Sequence, residues 1–257
     1  MNIIRSTKNA MIKQVNKLKS SKGRKAQAAY LLEGIHLVDE AIKADAAIKY
    51  LFISEDFSYL KDYEVLTYNI ILLSPSVMEF LSSTETNQGI IALVDMEEVS
   101  LDQNLQGKYL VLDAVQDPGN LGTIVRTADA AGFTAVIVGQ GSVDLYNDKV
   151  LRSMQGSQYH IPIFRTDLRE WLVEYAKTGY PIFGSALDNQ ARDYQIVTGH
   201  DHLAIIVGNE GNGISTDVLQ LCTEKVMIPI YGKAESLNVG VAAALLTYKA
   251  QESIKNL

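Results

Sequence analysis

Residues 108–128 read KYLVLDAVQDPGNLGTIVRTA, and this stretch decides the fold. KYLVLD, residues 108–113, is an almost unbroken apolar run of strand length, the pattern of a strand buried on both faces. After a turn the periodicity becomes helical, and the predicted helix 121–131 is stopped by Gly132. The rhythm continues downstream. AVIV (135–138), 181–186, LAIIV (203–207) and 226–230 read as strands, while 149–154, 167–177, 216–222 and 236–255 read as helices. Such alternation implies an α/β fold with a mostly parallel sheet covered on both faces.

Upstream, residues 1–95 read as a separate, smaller α/β module. Met11, Ile12, Val15 and Leu18 mark an amphipathic helix starting near Thr7, with lysines on its other face. A short strand at 29–32, a helix carrying Leu37, Val38, Ala41 and Ile42, and apolar runs at 48–53 and 70–73 follow. Ser74-Pro75 starts a helix, with serine as N-cap and proline at the first position. Asn87-Gln88-Gly89 is a turn into a strand at 90–94. Residues 96–107, MEEVSLDQNLQG, are polar and end on glycine, which makes them the expected linker between domains 1–95 and 108–257.

With 47% hydrophobic and 21% charged residues, the 257-residue chain has ordinary globular composition, which excludes extended disorder. No apolar run approaches the roughly 18 residues of a membrane span, and the N-terminus lacks the apolar core of a secretory signal. The single cysteine, Cys222, cannot form an internal disulfide. A soluble, cytoplasmic protein is expected. The net charge of −7 argues against nonspecific coating of nucleic acid, but it is unevenly spread. Residues 1–32 hold eight basic side chains, Lys17, Lys19, Lys22 and Arg24 among them, and no acid; the other 225 hold 15 basic and 30 acidic groups. That asymmetry fits either a local polyanion contact or a solvated helix face.

Three motifs carry chemistry. The first, residues 117–128 (DPGNLGTIVRTA), lies where open α/β sheets place ligands, between a strand's C-terminal end and the next helix. Asn120 stands at an N-cap position and Arg126 falls inside the helix; a plain cap and a surface ion pair are the alternatives. The second, residues 208–215 (GNEGNGIS), follows the strand at 203–207, and its glycines permit positive φ and close backbone approach. Its G-x-x-G-x-G spacing is neither the dinucleotide fingerprint nor a P-loop. In the third, Ile228-Pro229-Ile230 precedes Glu235-Ser236-Leu237-Asn238, and Ser236 could be a simple N-cap of the last helix.

Together, in order and spacing, the three motifs resemble those of the SpoU (TrmH) family of RNA 2′-O-ribose methyltransferases, of the SPOUT superfamily, over about residues 108–257. Residues 1–95, through Glu33-Gly34 and Gln88-Gly89, resemble the small, L30e-like α/β RNA-binding domain that often precedes that catalytic domain. The resemblance implies a C-terminal domain tied into a deep trefoil knot, homodimerisation through that domain, and S-adenosylmethionine bound within the knot, leaving S-adenosylhomocysteine as product. True knots are rare under ordinary topology rules, so this expectation rests on the resemblance alone.

Carried over by motif, Arg126, Asn120, Glu210, Ser236 and Asn238 are the expected catalytic residues. The backbone around Gly208, Ile228 and Leu237, with Asn238, is expected to hold the methyl donor. Arg126 is the family's proposed activator of the ribose hydroxyl; because a guanidinium stays protonated, orienting a phosphate is the alternative role. Glu210 could orient Arg126 through a charge-assisted bond. Lys17, Lys19, Lys22 and Arg24 of the basic arm, with Arg152 of KVLRSMQGS (149–157), are the expected RNA contacts. No metal is expected, since a sulfonium methyl is already electrophilic and His36, His160, His200 and His202 show no ligand spacing.

The separate basic module favours structured RNA, ribosomal RNA (23S) over tRNA, with no membrane or DNA partner. Two other classes compete. A catalytically silent dimeric RNA-binding protein is disfavoured because all five polar motif residues are present, and a Rossmann-type enzyme because G-x-G-x-x-G is missing. Cys222 reads as a core residue, and Trp171 and Tyr175, four apart, as a packing pair. The last helix, with Val239, Ala242, Ala243, Leu246 and Ile254, has an apolar face broad enough for core plus a dimer contact.

Overall fold

The computed structural model describes residues 3–97, 105–188 and 190–253. Most of the expected linker, residues 98–104, and Ile254 lie outside the described residues. The chain forms two units, the first containing residues 1–98 and 144–159, the second 99–143 and 160–257. Residues 144–159, within the span expected for the second domain, thus pack with the first unit.

In the first unit the elements are β1 (Ile3–Ile4), α1 (Ala10–Asn16), α2 (Ser21–Gln27), β2 (Ala29–Glu33), α3 (Ile35–Lys43), β3 (Ile48–Ser54), α4 (Leu60–Glu64), β4 (Ile70–Leu73), α5 (Pro75–Leu81) and β5 (Ile90–Asp95). The strands form one sheet in the order β1-β4-β3-β5-β2, with β5 antiparallel to both neighbours. Ile12, Val15 and Leu18 from the first helical segment meet Phe52, Leu73, Met78 and Leu93 in its core. Two glycine segments lock together. Gly34, at φ +100, precedes α3, whose Ile35 N–H donates to Gln88 Oε1 at 2.8 Å. A β-carbon on Gly34 would stand 3.0 Å from that oxygen.

The second unit is built from β6 (Lys108–Leu112), α6 (Pro118–Ala130), β7 (Ala135–Gly139), then, beyond α7 (Asp148–Met154) of the first unit, β8 (Ile163–Thr166), α8 (Leu168–Ala176), β9 (Ile182–Ser185), β10 (Arg192–Asp193), β11 (Leu203–Val207), α9 (Thr216–Leu219), β12 (Glu224–Met227) and α10 (Val239–Gln251). Its seven strands are all parallel, in the order β10-β12-β9-β11-β6-β7-β8. The apolar runs at 109–112, 135–138 and 203–207 are buried at every position, as strands covered on both faces must be. Trp171 and Tyr175 of α8 are buried and stacked at 4.9 Å over this core, the packing role their spacing suggested. From β6 the chain builds outward through β7 and β8, then crosses to the other side of β6 for β9 to β12. The reversal places a crevice at the C-terminal ends of β6 and β11, where ligands bind in open α/β sheets.

Several boundaries differ from expectation. α6 begins at Pro118, because Asp117 is the N-cap and proline supplies the pre-set first position. The strand expected at 226–230 is β12 at 224–227; Pro229 has no N–H to give a ladder, so 228–230 leave the sheet. α10 begins at Val239 with Asn238 as cap, not at Ser236. The strands β1, β8 and β10 and the helices α2 and α4 were not foreseen, being too short for a clear periodic signal.

Candidate active site

The site is assembled from the three loops that leave β6, β11 and β12. After β6, Asp113 accepts hydrogen bonds at 2.7 Å from both the N–H and the hydroxyl of Ser215, tying the first loop to the end of the second. The second loop is stiffened from within. Asn209 and Gly213 exchange two backbone hydrogen bonds of 2.9 Å, and Asn209 Oδ1 accepts from the N–H groups of Gly211 and Asn212. Asn209 Nδ2 then donates to the Ala114 carbonyl at 2.9 Å. Gly213 holds φ +69, and a β-carbon on Gly208 would come within 2.1 Å of the Gly213 backbone. The close approach that required glycine at 208 is therefore to the loop's own backbone.

Glu210 projects from this braced loop to the start of α6. Its Oε1 accepts from the Asp117 N–H and from Asn120 Nδ2, both at 3.0 Å, and its Oε2 from the Gln116 N–H at 3.1 Å. Asn120 Oδ1 accepts in turn from Asn238 Nδ2 at 2.9 Å, and Asn238 Oδ1 caps α10 by accepting from Gly240 and Val241. One polar chain, Glu210–Asn120–Asn238, thus connects all three motifs. Its direction is dictated at both ends. A carboxylate only accepts, so Asn120 must turn its amide N–H₂ towards Glu210; helix N–H groups only donate, so Asn238 must turn its oxygen towards α10. Partial burial pushes the Glu210 carboxyl up, but donations from Asn120 and from backbone N–H groups outweigh it and hold it below the usual carboxylate range.

Gly208, Glu210, Ile228, Ser236, Leu237 and Asn238 all line one cavity of about 930 Å³. Val207, Ile214, Leu219 and Ile230 make its apolar wall, and Asp188, paired with Lys225 at 2.7 Å, stands on the polar side. Asn120 reaches the cavity through its bond to Asn238.

 Eight residues carry a catalytic or donor-binding expectation: six line the cavity, Asn120 adjoins it, and Arg126 is not among its lining residues.

Arg126 lies on an exposed position of α6 and makes no hydrogen bond or ion pair among the described residues. The expected Glu210–Arg126 bond is absent; both Glu210 oxygens are taken by the start of α6. Ser236 is exposed on the cavity wall and caps nothing.

Of the expected RNA contacts, two are committed elsewhere. Arg24 is 4% exposed; it donates to Asp144 at 2.6 Å and to the carbonyls of Leu18 and Lys19, so it belongs to the core of the first unit. Lys19 donates to the carbonyls of Phe80 and Ser82 at the end of α5. Among the described residues Lys17 and Lys22 carry no ion pair, and Arg152 pairs with Asp148 at 2.9 Å on the surface of α7. Asp117, Asp113 and Asn209 were missed as supports of the site. Asp-Pro at 117–118 was a readable helix start, whereas the other two depend on contacts across about a hundred residues.

Among the described residues no group of three His, Cys, Asp or Glu side chains could hold a metal ion, and no helix is long and apolar enough to cross a membrane. Burial pushes the Cys222 thiol up to about 12, against a smaller opposing effect of Lys225, which suits a packed side chain and not a nucleophile.

Comparison with known proteins bears on the family and the fold. Residues 107–248 match the SpoU rRNA Methylase family, and residues 9–92 match the MRM3-like substrate binding domain. A relative from Bacillus subtilis, 23S rRNA (guanosine(2553)-2′-O)-methyltransferase RlmP, is 42% identical over 96% of this chain and 98% of its own. A crystal structure of an RNA 2′-O ribose methyltransferase is 32% identical, covers 97% of this chain and 98% of that one, and superposes with a TM-score of 0.83. The SpoU methyltransferase AviRb from Streptomyces viridochromogenes, in complex with the cofactor AdoMet, is 25% identical, covers 95% and 97%, and gives 0.84. The chain belongs to the SpoU rRNA methylase family of RNA 2′-O-ribose methyltransferases.

Proposed function

We propose that this protein transfers a methyl group from S-adenosylmethionine to a ribose 2′-hydroxyl in 23S ribosomal RNA. The observation that carries the reading is the Glu210–Asn120–Asn238 chain at a cavity lined by Gly208, Ile228 and Leu237. The cavity fits the donor. Its volume of about 930 Å³ lies in the range of roughly 300–1,000 Å³ typical of ligand pockets. Ile228, Ile230 and Leu237 lie outside regular elements, so they offer apolar contact together with backbone donors and acceptors.

When bound, S-adenosylmethionine supplies a methyl group on a positively charged sulfur, open to in-line displacement. The protein's task is to place the ribose oxygen opposite that methyl. Asn120, fixed by two partners, and Asn238, fixed by three, hold the site's shape. Glu210, saturated with donors, acts as the clasp that joins the loops. Arg126, with its guanidinium unengaged and permanently charged, holds an RNA phosphate and orients the nucleotide. The hydroxyl proton passes to that phosphate or to water.

The match of residues 9–92 to a substrate-binding domain and the rRNA specificity of the Bacillus relative support ribosomal RNA over tRNA. Exposed Val241, Leu245 and Tyr248 on α10 support a homodimer through the second unit, and the family supports the trefoil knot and a cytoplasmic location. Incubating the protein with labelled S-adenosylmethionine and unmodified 23S rRNA or tRNA tests the reading. Label recovered as a 2′-O-methylnucleoside from the ribosomal RNA is expected; label in tRNA alone would overturn the substrate assignment.

A further inference from the structure

Tyr231 is 96% exposed, more than any other large hydrophobic side chain among the described residues. It lies in the four-residue segment 231–234, which is exposed throughout and bracketed by lining residues of the cavity, Ile230 on one side and Glu235 on the other. Its ring makes no aromatic contact and its hydroxyl no hydrogen bond among the described residues, so nothing in the fold accounts for it. Two residues on, Lys233 is also exposed and has no ion pair among the described residues, on a rim that otherwise carries Asp188, Glu210 and Glu235. An unpartnered aromatic face next to a lone cation is the combination that binds single-stranded nucleic acid, the ring stacking on a base and the cation meeting a phosphate.

We propose that Tyr231 stacks on a base at or beside the methylated nucleotide, with Lys233 on the adjoining phosphate. This inference rests on the function proposed above. It makes Tyr231 a positioning residue, holding the nucleotide whose ribose enters the site and leaving donor binding to the cavity.

The test measures methyl transfer to an unmodified 23S rRNA transcript by the full chain and by Tyr231→Ala, Tyr231→Phe and Tyr231→Trp. Tyr231→Ala is expected to raise the KM for RNA roughly 5- to 150-fold, the range that base–aromatic stacking spans, while leaving kcat, S-adenosylhomocysteine affinity and oligomeric mass unchanged. Phe and Trp restore the low KM, because any aromatic face stacks. A transcript with an abasic site at the stacked position is expected to slow the unaltered protein and to add nothing further in Tyr231→Ala. An unchanged KM in Tyr231→Ala overturns the inference alone. So does loss of oligomeric mass, which would assign the ring to a protein interface. No transfer by the unaltered protein overturns the proposed function and this inference with it.

Discussion

Asn120 Oδ1 accepts a 2.9 Å hydrogen bond from Asn238 Nδ2, joining the first helix of the second unit to the cap of its last helix across 118 residues of sequence. The other end of Asn120 donates to Glu210. Three segments far apart in the chain are thus held by one side chain, its amide N–H₂ facing one neighbour and its oxygen the other.

Asn120→Asp preserves size but replaces the donor facing Glu210 with an acceptor. Two carboxylates then face each other, and the loops separate or one group takes a proton. Methyl transfer is expected to fall about 100-fold, the scale of an ångström-level misplacement. Since protonation restores a donor, the deficit relative to the unaltered protein should narrow as pH falls. A pH–rate profile checks this, and a deficit independent of pH would contradict it.

Asn238→Ala removes the cap of α10 as well as the bond to Asn120. Loss of a cap costs about 1 kcal/mol, a fall in Tm of roughly 2–4 °C for a chain of this size. Calorimetry measures it directly.

The basic arm divides by burial. Arg24→Ala breaks a buried pair and strands Asp144, and is expected to destabilise by about 3 kcal/mol. Charge reversal at Lys17 and Lys22 should change stability by no more than about 0.5 kcal/mol and weaken RNA binding with a shallower salt slope. Unchanged affinity and slope would return these lysines to a solvated face.

Four carboxyls, Asp144, Asp188, Glu210 and Asp217, are held below their ordinary range and set the acid response; Asp144 and Glu210 are the partly buried ones. Burial raises Asp144, but bonds from Arg24, the Tyr146 N–H and Ser21 bring it below the ordinary range, and Glu210 is lowered likewise. A depressed carboxyl stabilises the fold above its unfolded pKa, near 4, and that stabilisation disappears as pH falls through the folded value. Thermal stability should therefore drop below about pH 4, with a shallower drop in Asp144→Asn. An identical slope would contradict the assignment.

The parallel sheet was legible because its strands are continuous apolar runs, and the site because each motif follows a strand's C-terminal end. What escaped was set by tertiary contact. Asn238 displaced Ser236 as the cap because Asn120 orients its side chain; Arg24, one of eight arm cations, was drawn inside by Asp144, more than a hundred residues away. The Glu210–Arg126 bond failed for a similar reason, since the backbone at the start of α6 already satisfies that carboxylate. Charge and periodicity do not encode such partners.

The central claim is that this site methylates a ribose hydroxyl with Arg126 as the group that holds the RNA. Labelled methyl transfer to unmodified 23S rRNA, measured for the unaltered protein and for Arg126→Ala, tests it most directly. We expect 2′-O-methylnucleoside from the former and almost none from Arg126→Ala, with its Tm and S-adenosylhomocysteine affinity preserved because Arg126 is exposed and unbonded. Near-normal transfer by Arg126→Ala, or label recovered on a base instead of a ribose, would contradict the account.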